Sequence, residues 1–195
     1  MKIAVVGTGY VGLVTGTCFA ETGNDVVCVD IDKLKIESLQ ARKISIYEPH
    51  LEVFFERNIN AGRLTFTTEL ESAIQGAKLI FLALPTPPGE DGSADLSYVL
   101  GVAEQLGNLM EDYKVIIDKS TVPVGTTERV RAAVAMNARV DFDVVSNPEF
   151  LREGFAVNDF MKPDRVVVGC SSIRAQQLME ELYKPFVRQG NPILF

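Results

Sequence analysis

Lys2-Ile3-Ala4-Val5-Val6-Gly7-Thr8-Gly9-Tyr10-Val11-Gly12 runs a short β-branched strand pattern straight into G-x-G-x-x-G. Each glycine of that pattern has its own physical task. Gly7 permits a tight turn after the strand, Gly9 lets a pyrophosphate approach the backbone, and Gly12 lets the following helix pack on the strand. The helix predicted from Val11 would present free N–H groups and the positive end of its dipole to the phosphates. The next predicted strand, Asp25–Asp30, ends on a carboxylate 18 residues beyond Gly12. There Asp30 can accept hydrogen bonds from the ribose of an adenosine, which points to NAD, because the extra phosphate of NADP would meet a negative charge. Asp32 is assigned instead to capping the helix that follows.

The alternation continues along the chain. Further strands are predicted at Leu64–Phe66, Leu79–Ala83, Val115–Asp118, Asp143–Val145 and Val166–Val168, several of them continuous apolar runs of the kind that parallel sheets bury on both faces. Helices are predicted between them at 11–22, 33–41, 51–61, 70–75, 96–110, 127–136 and 173–183. Thr68-x-x-Glu71 reads as a capping box, and Gly23 and Gly62 stand where helices should stop. The pattern implies an α/β chain with a doubly wound, mostly parallel Rossmann-type sheet and helices on both faces. Residues 1–185 are expected to form one domain, with 186–195 beginning a connection onward.

Composition excludes some partners. The 195 residues carry 19 Lys+Arg against 26 Asp+Glu, a net charge of −7. Such a balance argues against nucleic acid and anionic membrane, both of which need a basic surface. No run approaches the roughly 20 apolar residues needed to cross a bilayer, and no leader pattern follows Met1, so a cytoplasmic location is expected. Cys18, Cys28 and Cys170 each lie in an apolar segment without metal-ligand spacing, which argues against both disulfides and a metal centre.

In doubly wound sheets ligands bind beyond the carboxyl ends of the strands. Pro85-Thr86-Pro87-Pro88-Gly89 offers the Thr86 hydroxyl there on a rigid turn. Lys119-Ser120-Thr121-Val122-Pro123-Val124-Gly125-Thr126 places Ser120 and Thr121 at a strand end, while helix capping accounts for Thr126. Ser146-Asn147-Pro148-Glu149-Phe150-Leu151-Arg152-Glu153-Gly154 adds two carboxylates and a guanidinium. If Pro148 opens a helical turn, Glu149 and Glu153 share a face and Arg152 partly neutralises them. His50, the only histidine, follows Tyr47-Glu48-Pro49 and reads as a surface or cap residue.

Together, Gly7–Gly12, Asp30, Tyr47-Glu48-Pro49, Pro85-Thr86-Pro87, Lys119–Gly125 and Asn147–Gly154 resemble the amino-terminal domain of the UDP-glucose/GDP-mannose dehydrogenase family, from Met1 to about Gly169. Lys119–Thr126 and Lys162-Pro163-Asp164-Arg165 resemble the UDP-glucose branch more than the GDP-mannose branch. The resemblance implies a four-electron oxidation in which two NAD convert the C6 alcohol of UDP-glucose to a carboxylate, through a thiohemiacetal and thioester on a cysteine. It implies NAD contacts from Gly7, Gly9, Tyr10, Val11, Gly12, Asp30, Lys35, Thr86, Thr121 and Glu153. Glu149, Phe150, Leu151, Arg152 and Glu153 would reach the nucleotide sugar, with Glu149 and Thr121 orienting the hydrolytic water.

The family's central helix, its dimer contacts and its nucleophilic cysteine on a second, UDP-binding domain would lie beyond Phe195. The chain is therefore expected to bind cofactor without turning over, as part of a homodimer when complete. Ile193-Leu194-Phe195 is expected to pack on a later part of the protein or on another copy. A dehydrogenase of another nucleotide sugar, such as GDP-mannose or a UDP-N-acetylhexosamine, and a non-catalytic NAD-binding module are the alternatives.

Overall fold

The computed structural model describes residues 1–89, 92–188 and 190–195. Six strands form one parallel sheet: β1 (Lys2–Val6), β2 (Asp25–Val29), β3 (Leu64–Thr67), β4 (Leu79–Leu82), β5 (Lys114–Asp118) and β6 (Phe142–Ser146), in the spatial order β3-β2-β1-β4-β5-β6. The order reverses between β1 and β4, whose carboxyl ends therefore border the crevice where such sheets bind ligands. The helices are α1 (Tyr10–Glu21), α2 (Lys33–Gln40), α3 (Leu51–Asn60), α4 (Leu70–Ile74), α5 (Ser97–Leu109), α6 (Thr126–Ala135), α7 (Ala156–Met161) and α8 (Ile173–Tyr183).

Alternate residues of each strand serve opposite faces. Ile3 and Val5 join a core with α1, α3, α7 and α8, whereas Ala4 and Val6 join one with α4, α5 and α6. Burial on both faces explains why these strands read as unbroken apolar runs. Phe19 of α1 ties the first layer together: its ring lies 4.9 Å from Phe81 of β4, 5.1 Å from Phe160 of α7 and 5.8 Å from Tyr183 of α8. The short helix α7, which carries no long periodic pattern of its own, is held in place by this cluster.

Several local expectations change in the folded chain. Asp32 caps α2 by accepting from the Lys35 amide, and Gly23 and Gly62 take left-handed backbone after α1 and α3, as read from the sequence. The Thr68–Glu71 capping box does not form, because α4 starts at Leu70 after Glu69, whose own amide donates to the Thr67 hydroxyl. Thr126 is the first residue of α6 and not its cap; its hydroxyl donates back to the Pro123 carbonyl at 2.7 Å. His50 occupies the cap position of α3 in left-handed conformation without a side-chain cap bond.

The segment predicted at Val166–Val168 leaves the main sheet. Its residues Val166–Val167 form β7, which pairs in parallel with β8 (Ile193–Leu194). Antiparallel bonds between Ser146 and Gly169 fasten this pair to the end of β6. Ile193 and Leu194 thus have a backbone partner within the chain and Ile193 packs against its core, a correction to the expectation that it packs on a later part or another copy, while Leu194 and Phe195 are about half exposed.

Candidate functional site

The site starts at the turn from β1 to α1. Gly7 has a φ of +98°, and a Cβ there would lie 2.3 Å from the Ala83 carbonyl oxygen; a Cβ on Gly12 would lie 1.9 Å from the Gly7 oxygen. The fold itself therefore requires both. Gly9 differs: its φ of −67° suits any residue, and a Cβ would meet nothing within 4 Å. Its missing side chain leaves open space over the start of α1, which has no side-chain cap and no acidic residue in its first turn. Free N–H groups, a positive dipole end and room for a close approach suit a phosphate, so the residues present fit a dinucleotide. Val11 follows in the first turn of α1, half-buried.

Asp30 follows β2 at the same edge. Its Oδ2 accepts from the Thr8 amide at 2.8 Å, the Thr8 hydroxyl at 2.7 Å and Lys35 Nζ at 3.2 Å, and its Oδ1 accepts from the Asp32 amide at 3.1 Å. Burial pushes the carboxyl up, but these donors and the Lys35 charge outweigh it and hold the group below its ordinary range. With three donors already on Oδ2, the open lone-pair position is on Oδ1. The expected cofactor residues Gly7, Gly9, Gly12, Asp30 and Lys35 are thus brought together at one edge.

Thr86 and Thr121 meet at the next two strand ends, where the Thr86 hydroxyl donates to the Thr121 carbonyl at 3.1 Å. Ser120 is explained by structure: its hydroxyl donates to the Leu84 carbonyl at 2.9 Å and accepts from the Leu84 amide, lacing the loops after β4 and β5. Asp118 ends β5 fully buried. Its Oδ1 accepts from the Ser120 amide, whereas Oδ2 has no partner among the described residues, and burial pushes the carboxyl up to about 6.

Beyond β6 lies a cleft of about 470 Å³ lined by Glu149, Phe150, Leu151 and Arg152, with Lys119, Asn147 and Tyr183 also in its wall. Glu153 is not among its lining residues. No helix runs through 149–153; instead the Glu149 carboxylate accepts from the Leu151 amide at 2.5 Å in a tight turn. The shared helical face expected for Glu149 and Glu153 is therefore absent. Arg152 does not neutralise that pair either: it forks onto Asp159 of α7 through Nε at 2.9 Å and Nη2 at 2.7 Å, a geometry that a guanidinium satisfies best with one planar carboxylate.

Four further residues shape the cleft or its border and had no role assigned from sequence. Lys119 Nζ is buried, 3.4 Å from Asn147 Oδ1 and 5.5 Å from the Phe160 ring centre; burial pulls it down to about 8 against the opposing charge of Glu149. Asn147 Oδ1 also accepts from the Tyr183 hydroxyl at 2.5 Å, and its amide donates to the Val167 carbonyl. Glu48, 4% exposed, accepts from the Tyr10 hydroxyl and from the Gly154 and Ala156 amides. Burial, the Glu48 carboxylate, and then Glu153 and Glu149 drive the Tyr10 hydroxyl well above the usual phenol range, so it remains a donor. Lys119, Asn147 and Glu48 stand inside motifs visible in the sequence; Tyr183 had no local signal.

The cysteines lie apart from these loops. Cys18 and Cys28 are buried in α1 and β2, and burial raises both thiols, Cys28 to about 12. Cys170 follows β7, and burial with the charge of Asp143 raises it as well. Among the described residues no helix is long and apolar enough to cross a membrane.

Comparison with known proteins agrees with this layout. The NAD binding domain of the UDP-glucose/GDP-mannose dehydrogenase family matches residues 1–187. The chain is 54% identical to UDP-glucose 6-dehydrogenase TuaD of Bacillus subtilis (strain 168) over 187 residues, 95% of this chain and 41% of that protein. It superposes on a UDP-glucose dehydrogenase from Pyrobaculum islandicum with a TM-score of 0.93 at 43% identity, covering 98% of this chain and 45% of the other. It superposes on GDP-mannose dehydrogenase from Pseudomonas aeruginosa with a TM-score of 0.90 at 32% identity, covering 100% and 46%. The chain thus spans less than half the length of these relatives. With the family's domain matched over nearly all of its residues, the chain belongs to the UDP-glucose/GDP-mannose dehydrogenase family, as its NAD binding domain.

Proposed function

We propose that this chain is the NAD-binding part of an enzyme that oxidises UDP-glucose to UDP-glucuronate with two NAD, and that it does not turn over alone. The observation that carries the reading is Gly9, a glycine for which the fold has no use and a phosphate does. The start of α1 holds the pyrophosphate, and Tyr10 and Val11 shape that loop. Asp30 accepts from the ribose through Oδ1, with Lys35 beside it. Thr86, Thr121 and Glu153 border the remainder of the cofactor. When bound, NAD supplies the hydride acceptor. Glu149, Phe150, Leu151, Arg152 and Glu153 face the nucleotide sugar, where Glu149 holds a water as general base and Thr121 orients it.

The three cysteines support the inactive-alone reading, since two are buried and all have raised thiols, and the nucleophile must be a thiolate. We read residues 1–185 as the NAD-binding domain and 186–195, whose Ile193–Leu194 pair back onto β7, as leading to a UDP-binding domain and the contacts of a homodimer in the complete protein. The superposition on a GDP-mannose dehydrogenase favours a second reading, in which the substrate is another nucleotide sugar.

Titration calorimetry of the chain should give NAD⁺ binding tighter than NADP⁺, and the chain mixed with NAD⁺ and UDP-glucose should form no NADH. Equal affinity for the two cofactors removes the role of Asp30, and NADH formation removes the inactive-alone reading.

A further inference from the structure

Glu48 has no place in the cofactor or sugar contacts above, yet it is among the most buried acids of the described residues. Its donors come from two distant segments. Oε1 accepts from the hydroxyl of Tyr10, inside the glycine-rich turn, and from the Gly154 amide at 2.5 Å; Oε2 accepts from the Ala156 amide at 3.1 Å. Gly154 closes the Glu149–Glu153 segment with a φ of +83°, and Ala156 opens α7, whose Asp159 holds Arg152. Among the described residues Glu48 has no ion pair. Burying a carboxylate without a cation is costly, and hydrogen bonds offset that cost only while all of its donors stay in place. A displacement of Tyr10 therefore removes one of those donors and destabilises the buried carboxylate to which the Gly154 and Ala156 amides are bonded.

We propose that Glu48 is a positioning residue that couples occupancy of the glycine-rich turn to the geometry of the Glu149–Gly154 segment. This inference rests on the proposed NAD site. A ligand that holds Tyr10 in its place keeps the three-donor set on Glu48 closed and so restrains the loop carrying Glu149; by linkage, a ligand that orders that loop favours the cofactor in return.

The test uses the whole chain, NAD⁺ as probe, and amide hydrogen exchange at Gly154 and Ala156, compared at equal NAD⁺ saturation. In the wild type NAD⁺ should slow both amides at least about tenfold, the scale of one charge-assisted hydrogen bond. In Glu48→Gln, which keeps the shape but turns a donor toward the Ala156 amide, exchange should be faster and unresponsive to NAD⁺. In Tyr10→Phe, which removes one donor and keeps the two backbone bonds to Glu48, exchange without ligand should be faster than in the wild type and the response to NAD⁺ should disappear. Should Glu48→Gln fail to fold, Tyr10→Phe decides. NAD⁺ binding with no slowing in the wild type, or with equal slowing in Tyr10→Phe, overturns the coupling and leaves the NAD site standing. Absence of any NAD⁺ binding heat overturns the proposed function and this inference with it.

Discussion

Adding one methyl group at Gly9 should separate binding from folding. In Gly9→Ala the new Cβ meets nothing within 4 Å, and the backbone at φ −67° and ψ −171° suits alanine. Alanine is a poorer cap than glycine, but it also reduces the freedom of the unfolded chain by about 0.4–1 kcal/mol, so net stability should change by no more than roughly 0.5 kcal/mol. The same methyl stands where the phosphate must approach the free amides of α1. Losing one charge-assisted hydrogen bond there costs about 1.5–3 kcal/mol, a ten- to hundredfold weaker NAD⁺ complex. Gly12→Ala is the contrast: its Cβ would sit 1.9 Å from the Gly7 oxygen and 3.2 Å from the Ala83 Cβ. Backbone must move to admit it, at about 1–3 kcal/mol or more. Urea unfolding and titration calorimetry on both variants give the answer. The reasoning fails if Gly9→Ala binds NAD⁺ like the wild type, or if it unfolds as readily as Gly12→Ala.

Asp118 should make stability depend on pH. Its folded carboxyl is raised to about 6 from an ordinary 3.8, so the folded state holds the proton longer, and stability falls as pH rises from about 4 to about 6. The displacement corresponds to roughly 3 kcal/mol. The wild type should lose about 2 kcal/mol of that relative to Asp118→Asn between pH 4 and 7, since the unfolded carboxyl is already partly ionised at pH 4, and the fixed cost of the buried amide cancels from the difference; an unchanged stability difference between the two proteins at the two pH values would refute it. Asp30→Ala should weaken NAD⁺ by about 1–2 kcal/mol and also release the Thr8 amide and hydroxyl. Because the Asp30 carboxyl is held below its ordinary range, any stability it adds is present at neutral pH and lost on acidification. Calorimetry showing unchanged affinity in a folded Asp30→Ala variant would remove its role.

The six strands of the main sheet and seven of the eight helices among the described residues are legible from residue pattern alone, because a strand buried on both faces must be apolar throughout. The glycine-rich turn is legible for a related reason: Gly7 and Gly12 answer to atoms a few residues away or on the adjoining strand end. α7 and β8 are too short to carry a period. The Thr68–Glu71 box and the Glu149–Glu153 helical face are reasonable local patterns that lose to competing partners: Thr67 takes the Glu69 amide, the Leu151 amide turns back onto Glu149, and Asp159 takes Arg152. Residue types and their order therefore determined the fold class and the loops that carry chemistry. Only the packed chain decided that Glu48 would hold Gly154, 106 residues away, and that Lys119 would lie under Phe160. A buried polar group takes whichever partner the packing of distant elements brings within reach, and no local pattern records that.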